Sequence, residues 1–288
     1  MTWITFAFIA LFSFGIQKFL FKVSAERNYS SKRITLYFMA TVTCIALIVQ
    51  LIFFRSDSMV HLLVVFGAGI NGIAFLLLSL TRLKALKLAP SLVVMPLFEL
   101  SNILMLPLSI LLFHDSISGI QYIGIILGTF AGLLLLKKQD AEHSKYPHFI
   151  IGVLFACGAM VCALFLGLTS KYIAISDVNK VTFILISYGI NTLILLIQTG
   201  SSYVRKKETI CINYEEIRLG IGIGIFNFIA FFSHIYALQT QSIPVVGVIV
   251  SCSTVVALGL SIYFYKEKLT VQRILGIIMA FIAVLLLK

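Results

Sequence analysis

The feature that most constrains the fold of this chain is a succession of apolar runs, each long enough to cross a lipid bilayer. A membrane-spanning helix needs about 20 predominantly apolar residues, and ten such runs follow one another, separated by short polar segments. They cover residues 2–21, 33–54, 60–81, 88–112, 119–136, 148–170, 180–200, 216–238, 243–264 and 270–287. The pattern predicts an all-α polytopic membrane protein with ten transmembrane helices.

Composition supports this fold class and excludes others. Only 11% of the residues are charged, against about 25% in soluble domains, and the mean hydropathy is +1.07. The formal charge of +11 does not indicate nucleic-acid binding, because the basic residues lie in short loops beside apolar runs, where membrane topology places them. The cysteines form no CxxC pair and show no zinc-ligand spacing. We therefore expect no metal and no cofactor, and we expect a multi-pass protein of the cell (plasma or inner) membrane.

The basic residues also predict an orientation in the membrane. Of the 22 lysines and arginines, 17 lie in the loops after the odd-numbered spans or at the span ends that border those loops. The loops after the even-numbered spans and the C-terminus hold only four, namely Arg55, Lys171, Lys180 and Lys288. Cytoplasmic loops carry the excess of positive charge, so this distribution favours odd-numbered loops in the cytoplasm and both termini outside.

The chain contains an internal repeat. Residues 72–136 align with residues 224–288 without a gap, and the polar hairpin at 115–118 falls on the polar hairpin at 267–270. We infer two related halves, 1–137 and 148–288, of five helices each. Five is an odd number, so the second half must be inverted in the membrane. Secondary transporters are commonly built this way and bind substrate near the midplane at the repeat interface. Identical pairs in the repeat include Gly72/Gly224, Ala85/Ala237, Val93/Val245, Ser101/Ser253 and Gly124/Gly276.

Short motifs in both halves resemble a known family. The second half closes with Ser242-Ile243-Pro244, an apolar helix, Tyr265-Lys266-Glu267-Lys268-Leu269-Thr270-Val271-Gln272 and Leu275-Gly276. The first half repeats this pattern more loosely through Pro96, Asp115, Ser118 and Gly124. This pattern resembles the EamA-type half of the drug/metabolite transporter superfamily, with the glycine before the acidic residue replaced by His114 and Lys266.

The resemblance implies export or exchange of small metabolites or drugs through a central cavity. It also implies, by analogy with many eukaryotic members, termini in the cytoplasm, whereas the loop charges favour the outside. We expect a secondary-active transporter that is not an enzyme, either proton-coupled or facilitative. Alternative functions are a lipid-carrier flippase or an accessory membrane subunit on the same fold, and, least favoured, a membrane-embedded enzyme. The expected partners are a small-molecule substrate and the lipid bilayer, with no nucleic acid.

One acidic residue lies near the middle of a span. An acid at that depth costs roughly 2.5–3.5 kcal/mol on insertion scales, so we expect Glu99 to face protein or a wet cavity. Asn102 lies three residues further on, on the same face of the fourth helix. We hypothesise that Glu99 binds a proton or a cationic substrate group in alternation. The alternative is a structural hydrogen bond or an ion pair, for example to Lys18. Pro90, Pro96 and Pro107 predict distortion of the same helix.

Four further polar residues inside spans are candidates for substrate or proton binding. Asn71 and Asn227 lie at mid-depth in the third and eighth spans, where each either lines the cavity or bridges neighbouring helices. His234 lies on the same face as Asn227 and either titrates near neutrality or is a satisfied histidine near the membrane surface. Ser251, the repeat partner of Glu99, either faces the cavity or bonds its own helix backbone.

Glycines at four-residue spacing indicate close helix packing. Gly124, Gly128 and Gly132 form two overlapping GxxxG steps in the fifth span, and Gly276 and Ala280 form the matching step in the tenth. Such steps let helix backbones approach closely. They predict close packing either within the bundle or at the interface of a homodimer.

Overall fold

The chain folds entirely into helices in the part that the structure describes. The computed structural model describes residues 2–53, 62–89, 91–135, 148–206, 213–266 and 270–287. Its helices are α1 (Trp3–Glu26), α2 (Ser31–Phe53), α3 (Leu62–Leu88), α4 (Ser91–Phe113), α5 (Gly119–Leu134), α6 (Phe149–Ile175), α7 (Lys180–Lys206), α8 (Tyr214–Leu238), α9 (Ile243–Ser251), α10 (Ser253–Tyr265) and α11 (Val271–Leu287).

Each predicted span contains a helix, and the predicted polytopic fold is confirmed. Seven described segments are long and apolar enough to cross a membrane, one of them made of α9 and α10 together, and parts of α4, α5 and α11 are shorter apolar helices. Large apolar side chains such as Phe53, Ile150 and Leu285 point outward and are at least 70% exposed. Water does not solvate such a surface, whereas lipid does, so the protein is a multi-pass membrane protein.

The fourth and ninth spans differ from expectation in where they are interrupted. The prolines predicted distortion in the fourth span, but α4 is one unbroken helix through Pro96 and Pro107. The ninth span is divided at Cys252, where the Val255 N–H donates to the Cys252 carbonyl over three residues. A proline removes only one backbone hydrogen bond, which neighbouring groups in a bundle can replace. The helix of the ninth span is therefore broken at a position where the sequence has no proline.

Helix packing follows the pseudo-two-fold relation between the halves. The most extensive contacts pair α1 with α8 and, correspondingly, α6 with α3. The contact between α5 and α11 shows the two-fold relation in its interatomic distances. A Cβ atom added to Gly124 would lie 3.0–3.2 Å from Leu286 and Leu287, and one added to Gly276 would lie 3.1–3.2 Å from Leu134 and Leu135. The GxxxG faces thus pack against each other within one chain.

The hairpins at the ends of α4 and α10 share an unusual backbone conformation. His114 has a φ of 53° and Lys266 a φ of 51°, the left-handed region that glycine enters without steric cost. These are the two positions where the family pattern has glycine. The left-handed turn therefore explains why the family pattern has glycine at this position. Both halves of this chain keep the turn although they have histidine and lysine there. The bounds 1–137 and 148–288 of the halves stay predictions.

Candidate functional site

A cavity of about 420 Å³ lies at the seam between the two halves. The described side chains that line it come from α1, α3 and α4 of the first half and from α6, α7, α8, α9 and α10 of the second. Transporters built from inverted repeats hold substrate at such a seam. The volume lies within the range of about 300–1,000 Å³ that is typical of small-molecule sites.

Part of the cavity wall consists of equivalent positions in the two halves. Four pairs of lining residues are separated by the same interval as the repeat, so the pseudo-two-fold axis passes through the cavity. Their residue types mostly differ between the halves: only the serine pair is conserved. The pairs are Phe14/Leu166, Lys18/Ser170, Phe75/Asn227 and Ser101/Ser253.

Most of the sequence-predicted site residues line this cavity, and the structure brings them together. They are Asn71, Asn102, Asn227, His234 and Ser251. Glu99 belongs to α4, one helical turn before Asn102, and its side chain lies outside the described residues. Position 99 is therefore on the face of α4 that carries Asn102, but what Glu99 contacts stays a prediction.

Three of these polar side chains have defined neighbours. Asn71 donates from Nδ2 to the Thr169 hydroxyl over 2.8 Å and thereby joins α3 to α6. The Asn102 Oδ1 lies over the bare backbone of Gly247, 3.4 Å from where a Cβ would stand. The Ser251 hydroxyl donates to the Val248 carbonyl of its own helix over 2.8 Å. Asn71 therefore both lines the cavity and bridges helices. The hydroxyl proton of Ser251 is engaged by the backbone of its own helix.

An aromatic cluster forms one side of the cavity. The Tyr188 ring lies between Phe75 and Phe231, with ring centroids 6.0 Å and 5.9 Å away. Asn227 is directed at the Tyr188 hydroxyl. This arrangement places a polar amide and a phenol beside an apolar aromatic surface, which suits a ligand with both apolar and hydrogen-bonding parts.

Several polar atoms of the lining residues have no hydrogen-bond partner among the residues that the structure describes. They are Asn191 Oδ1, Asn227 Oδ1, His234 Nδ1 and Ser253 Oγ, on α7, α8 and α10. Asn191, Asn227 and Ser253 are each at most 3% exposed. A buried polar group without a partner costs about 1–3 kcal/mol, so partnerless atoms around one cavity indicate that a ligand or water completes them. All four belong to the second half.

Lys18 is the charged residue among the described lining residues. Its ammonium group donates to the Thr254 hydroxyl of α10 over 3.0 Å, and so connects the first half to the broken ninth span. His234 is also close to α1, with its ring edge toward Phe14 and centroids 6.4 Å apart. Both titratable side chains thus lie where α1 meets the second half.

Sequence reasoning missed part of the site. Tyr188, Asn191 and Ser187, all on one face of α7, line the cavity and were not among the candidates. Asn191 carried a usable signal, because it is an amide at mid-depth in an apolar span, as Asn71 and Asn227 are. The aromatic residues carried none, since phenylalanine and tyrosine are common throughout these spans.

Comparisons with known proteins agree with this architecture. Residues 150–288 match the family model of the EamA-like transporter family. The match of this region supports membership of the drug/metabolite transporter superfamily. A solved crystal structure of another protein has the same fold, with a TM-score of 0.72, 15% identity, and coverage of 98% of this chain and 95% of that chain. No curated protein sequence matches the chain significantly. The family is one of membrane transporters, and the matched region is the second half of the repeat.

Proposed function

We propose that this protein is a secondary-active transporter that exports small metabolites or drug-like amphiphiles by alternating access. The observation that carries the proposal is the cavity at the seam, which is lined by helices of both halves and includes four pairs of equivalent positions. Rocking one half against the other around such a site exposes it to each face of the membrane in turn. The match to a transporter family supports the same function.

The lining supports an amphiphilic substrate that is neutral, zwitterionic or cationic. The aromatic rings of Phe75, Tyr188 and Phe231 offer an apolar surface, and the amides of Asn191 and Asn227 offer hydrogen-bond acceptors. Lys18 is the cation among the described lining residues, and the Thr254 hydroxyl already engages it. A strongly anionic substrate would need more basic groups than these.

Transport is either coupled to protons or facilitative, and Glu99 is the residue we assign to the coupling. A carboxylate at this depth, on the face of α4 that carries Asn102, can bind a proton in one state and a cationic substrate group in the other. The two occupants exclude each other at one carboxylate. That exclusion is the simplest physical basis for exchanging protons against substrate.

The test is an efflux screen with purified protein in sealed vesicles, using panels of metabolites and amphiphilic drugs with and without an imposed proton gradient. We expect substrate movement that saturates with concentration and that is faster with the gradient. Equal rates with and without it would remove the proton role and leave facilitative transport. Movement only when a second membrane subunit is co-reconstituted would favour an accessory role instead.

A further inference from the structure

The structure contains a buried ion pair that the transport site does not use. Lys171, near the end of α6, lies with its Nζ 3.2 Å from the Asp115 Oδ1 in the hairpin between α4 and α5. Their side chains are only 4% and 13% exposed. Lys171 also donates to the Gln241 carbonyl over 2.6 Å, and the Ser109 hydroxyl donates to Asp115. Two opposite charges are thus enclosed together and fully engaged.

The pair joins the two halves of the molecule. Asp115 and Ser109 belong to the first half, whereas Lys171 and Gln241 belong to the second. Gln241 lies in the connection between α8 and α9, so one ammonium group holds together three separate segments: the α4–α5 hairpin, the end of α6 and the start of the ninth span. An interaction inside one half would survive a rocking motion, but this one must break if these segments separate.

The pair also lies directly at one end of the cavity. Ser170, the neighbour of Lys171, lines the cavity, and so does Ile243, two residues after Gln241. Lys171 and Gln241 stand beyond these lining residues toward the helix ends, so they lie between the cavity and the face of the α4–α5 hairpin. The low exposure of both charged side chains shows that the three segments are packed against each other there.

We propose that Asp115 and Lys171 form the gate that closes this end of the transport pathway. The proposal rests on the transport function proposed above and names residues that control access to the same site. Separating two buried charges is unfavourable unless water reaches them. In the closed state the charges satisfy each other, and in the open state water enters and solvates both. The pair therefore gives the gate two stable arrangements.

A second ion pair, at the opposite face, is only partly buried, with the Arg33 side chain 27% exposed. Glu216, at the start of α8, is 2.6 Å from Arg33 Nε and also accepts from the Ser30 N–H over 3.1 Å. There α8 packs backbone-close on α2, because a Cβ on Gly224 would stand 2.9 Å from the Phe38 carbonyl. This pair also joins the two halves, but it lies where α2 and α8 are closely packed along their length, so we assign it to holding α2 and α8 together rather than to gating.

The experiment measures access to the cavity without needing a substrate. Ser170→Cys, in a background with the native cysteines replaced, gives a thiol in the cavity wall beside Lys171. A membrane-impermeant maleimide is applied to the protein in oriented vesicles, from each face separately. The variants are Asp115→Asn and Lys171→Met. The matched control is Lys180→Met, which removes a lysine whose bond to the Ser176 carbonyl stays within the second half.

We expect each gate variant to raise the labelling rate from the α4–α5 hairpin face at least about tenfold, because one unpaired charge remains buried in the closed state. The rate from the opposite face should not rise. Rates within about twofold of the Lys180→Met control would overturn the proposal. Where a single variant does not fold, the double variant Asp115→Asn/Lys171→Met leaves no unpaired charge, and a rise of about threefold is expected. Labelling changes without any transport would uphold the gate and refute the transport function.

Discussion

Two regions of the molecule preserve the internal repeat to different degrees. One is the packing seam between α5 and α11, and the other is the wall of the cavity. At the seam, Gly124 and Gly276 are identical and meet equivalent leucines of the other half at 3.0–3.2 Å. In the cavity, three of the four equivalent pairs differ, among them Phe75/Asn227 and Lys18/Ser170, and only the serine pair is identical. Residues that hold the fold stay alike, whereas residues that contact the cavity diverge.

The difference has a physical reason. Two helices that pack this closely favour glycine at both equivalent positions, because a Cβ on either side would crowd the leucines of the other helix. A binding site has the opposite requirement, since a substrate without two-fold symmetry needs different groups on its two sides. Comparing equivalent positions of the two halves therefore distinguishes structural from functional positions. Each pair of positions can be tested by mutation.

The largest asymmetry that we predict is at the repeat pair Glu99/Ser251. Glu99→Gln removes the charge and keeps the size. We expect transport to fall about ten- to hundredfold, equivalent to the ~1.5–3 kcal/mol of a hydrogen bond to a charged group, and its dependence on the proton gradient to vanish. Ser251→Ala is the matched control and should transport near the wild-type rate, because the Ser251 hydroxyl bonds its own helix. Vesicle efflux at several pH values measures both.

Wild-type rate and unchanged pH dependence in Glu99→Gln would refute the coupling role of this carboxylate. A large loss in Ser251→Ala would contradict the asymmetry itself, since both positions would then serve the site.

The pair Gly72/Gly224 should respond symmetrically in stability, although Gly72 also lines the cavity. A Cβ on Gly72 would stand 2.8 Å from the Ser187 carbonyl oxygen, and one on Gly224 would stand 2.6 Å from the Thr41 Cβ. Gly72→Ala and Gly224→Ala should each destabilise the protein by about 1–3 kcal/mol, as overpacking does. Gly259→Ala is the control, because nothing lies within 4 Å of its added Cβ. Thermal unfolding in detergent measures all three; equal midpoints for Gly72→Ala and Gly259→Ala would contradict the close approach.

The cavity pair Phe75/Asn227 should respond in transport rather than stability. Asn227→Leu keeps the approximate volume but removes the amide beside Tyr188. We expect a five- to tenfold loss of transport, about the value of a neutral hydrogen bond near 1 kcal/mol. Thr43→Val is the control, since the Thr43–Thr192 contact of 3.1 Å joins α2 to α7 away from the cavity. If both variants lose transport equally, the loss reflects general helix packing and not the site.

Hydropathy was sufficient for the fold but not for its details. The ten spans follow from the length of the apolar runs, and the helices extend beyond several of them, as α7 does to Lys206. Such extensions reflect the fact that polar residues can continue a helix into water. The break at Cys252 could not be predicted, because the sequence has no proline or glycine at that position.

For the site, depth in the membrane could be predicted but rotation about the helix axis could not. Asn71, Asn227 and His234 were recognised because a polar residue at mid-span needs a partner or a cavity. The partners themselves depend on how neighbouring helices turn toward each other. The contact between Asp115 and Lys171 is an example: both residues are visible in the sequence as loop or helix-end charges, but nothing in the sequence pairs a hairpin of one half with a helix of the other.

The smallest effects that we predict are at the hairpin pair His114/Lys266, where both halves hold a side chain in the left-handed region. His114→Gly and Lys266→Gly should each stabilise the protein by about 0.5–1 kcal/mol, because relief of the left-handed strain slightly exceeds the entropy that glycine loses on folding. Both side chains are exposed, so no buried contact is lost, and thermal unfolding in detergent should show two similar small increases. A gain in one hairpin and a loss in the other would mean that one of the side chains has a role beyond the turn. The two hairpins would then share a backbone conformation but differ in function, as equivalent residues in the cavity do.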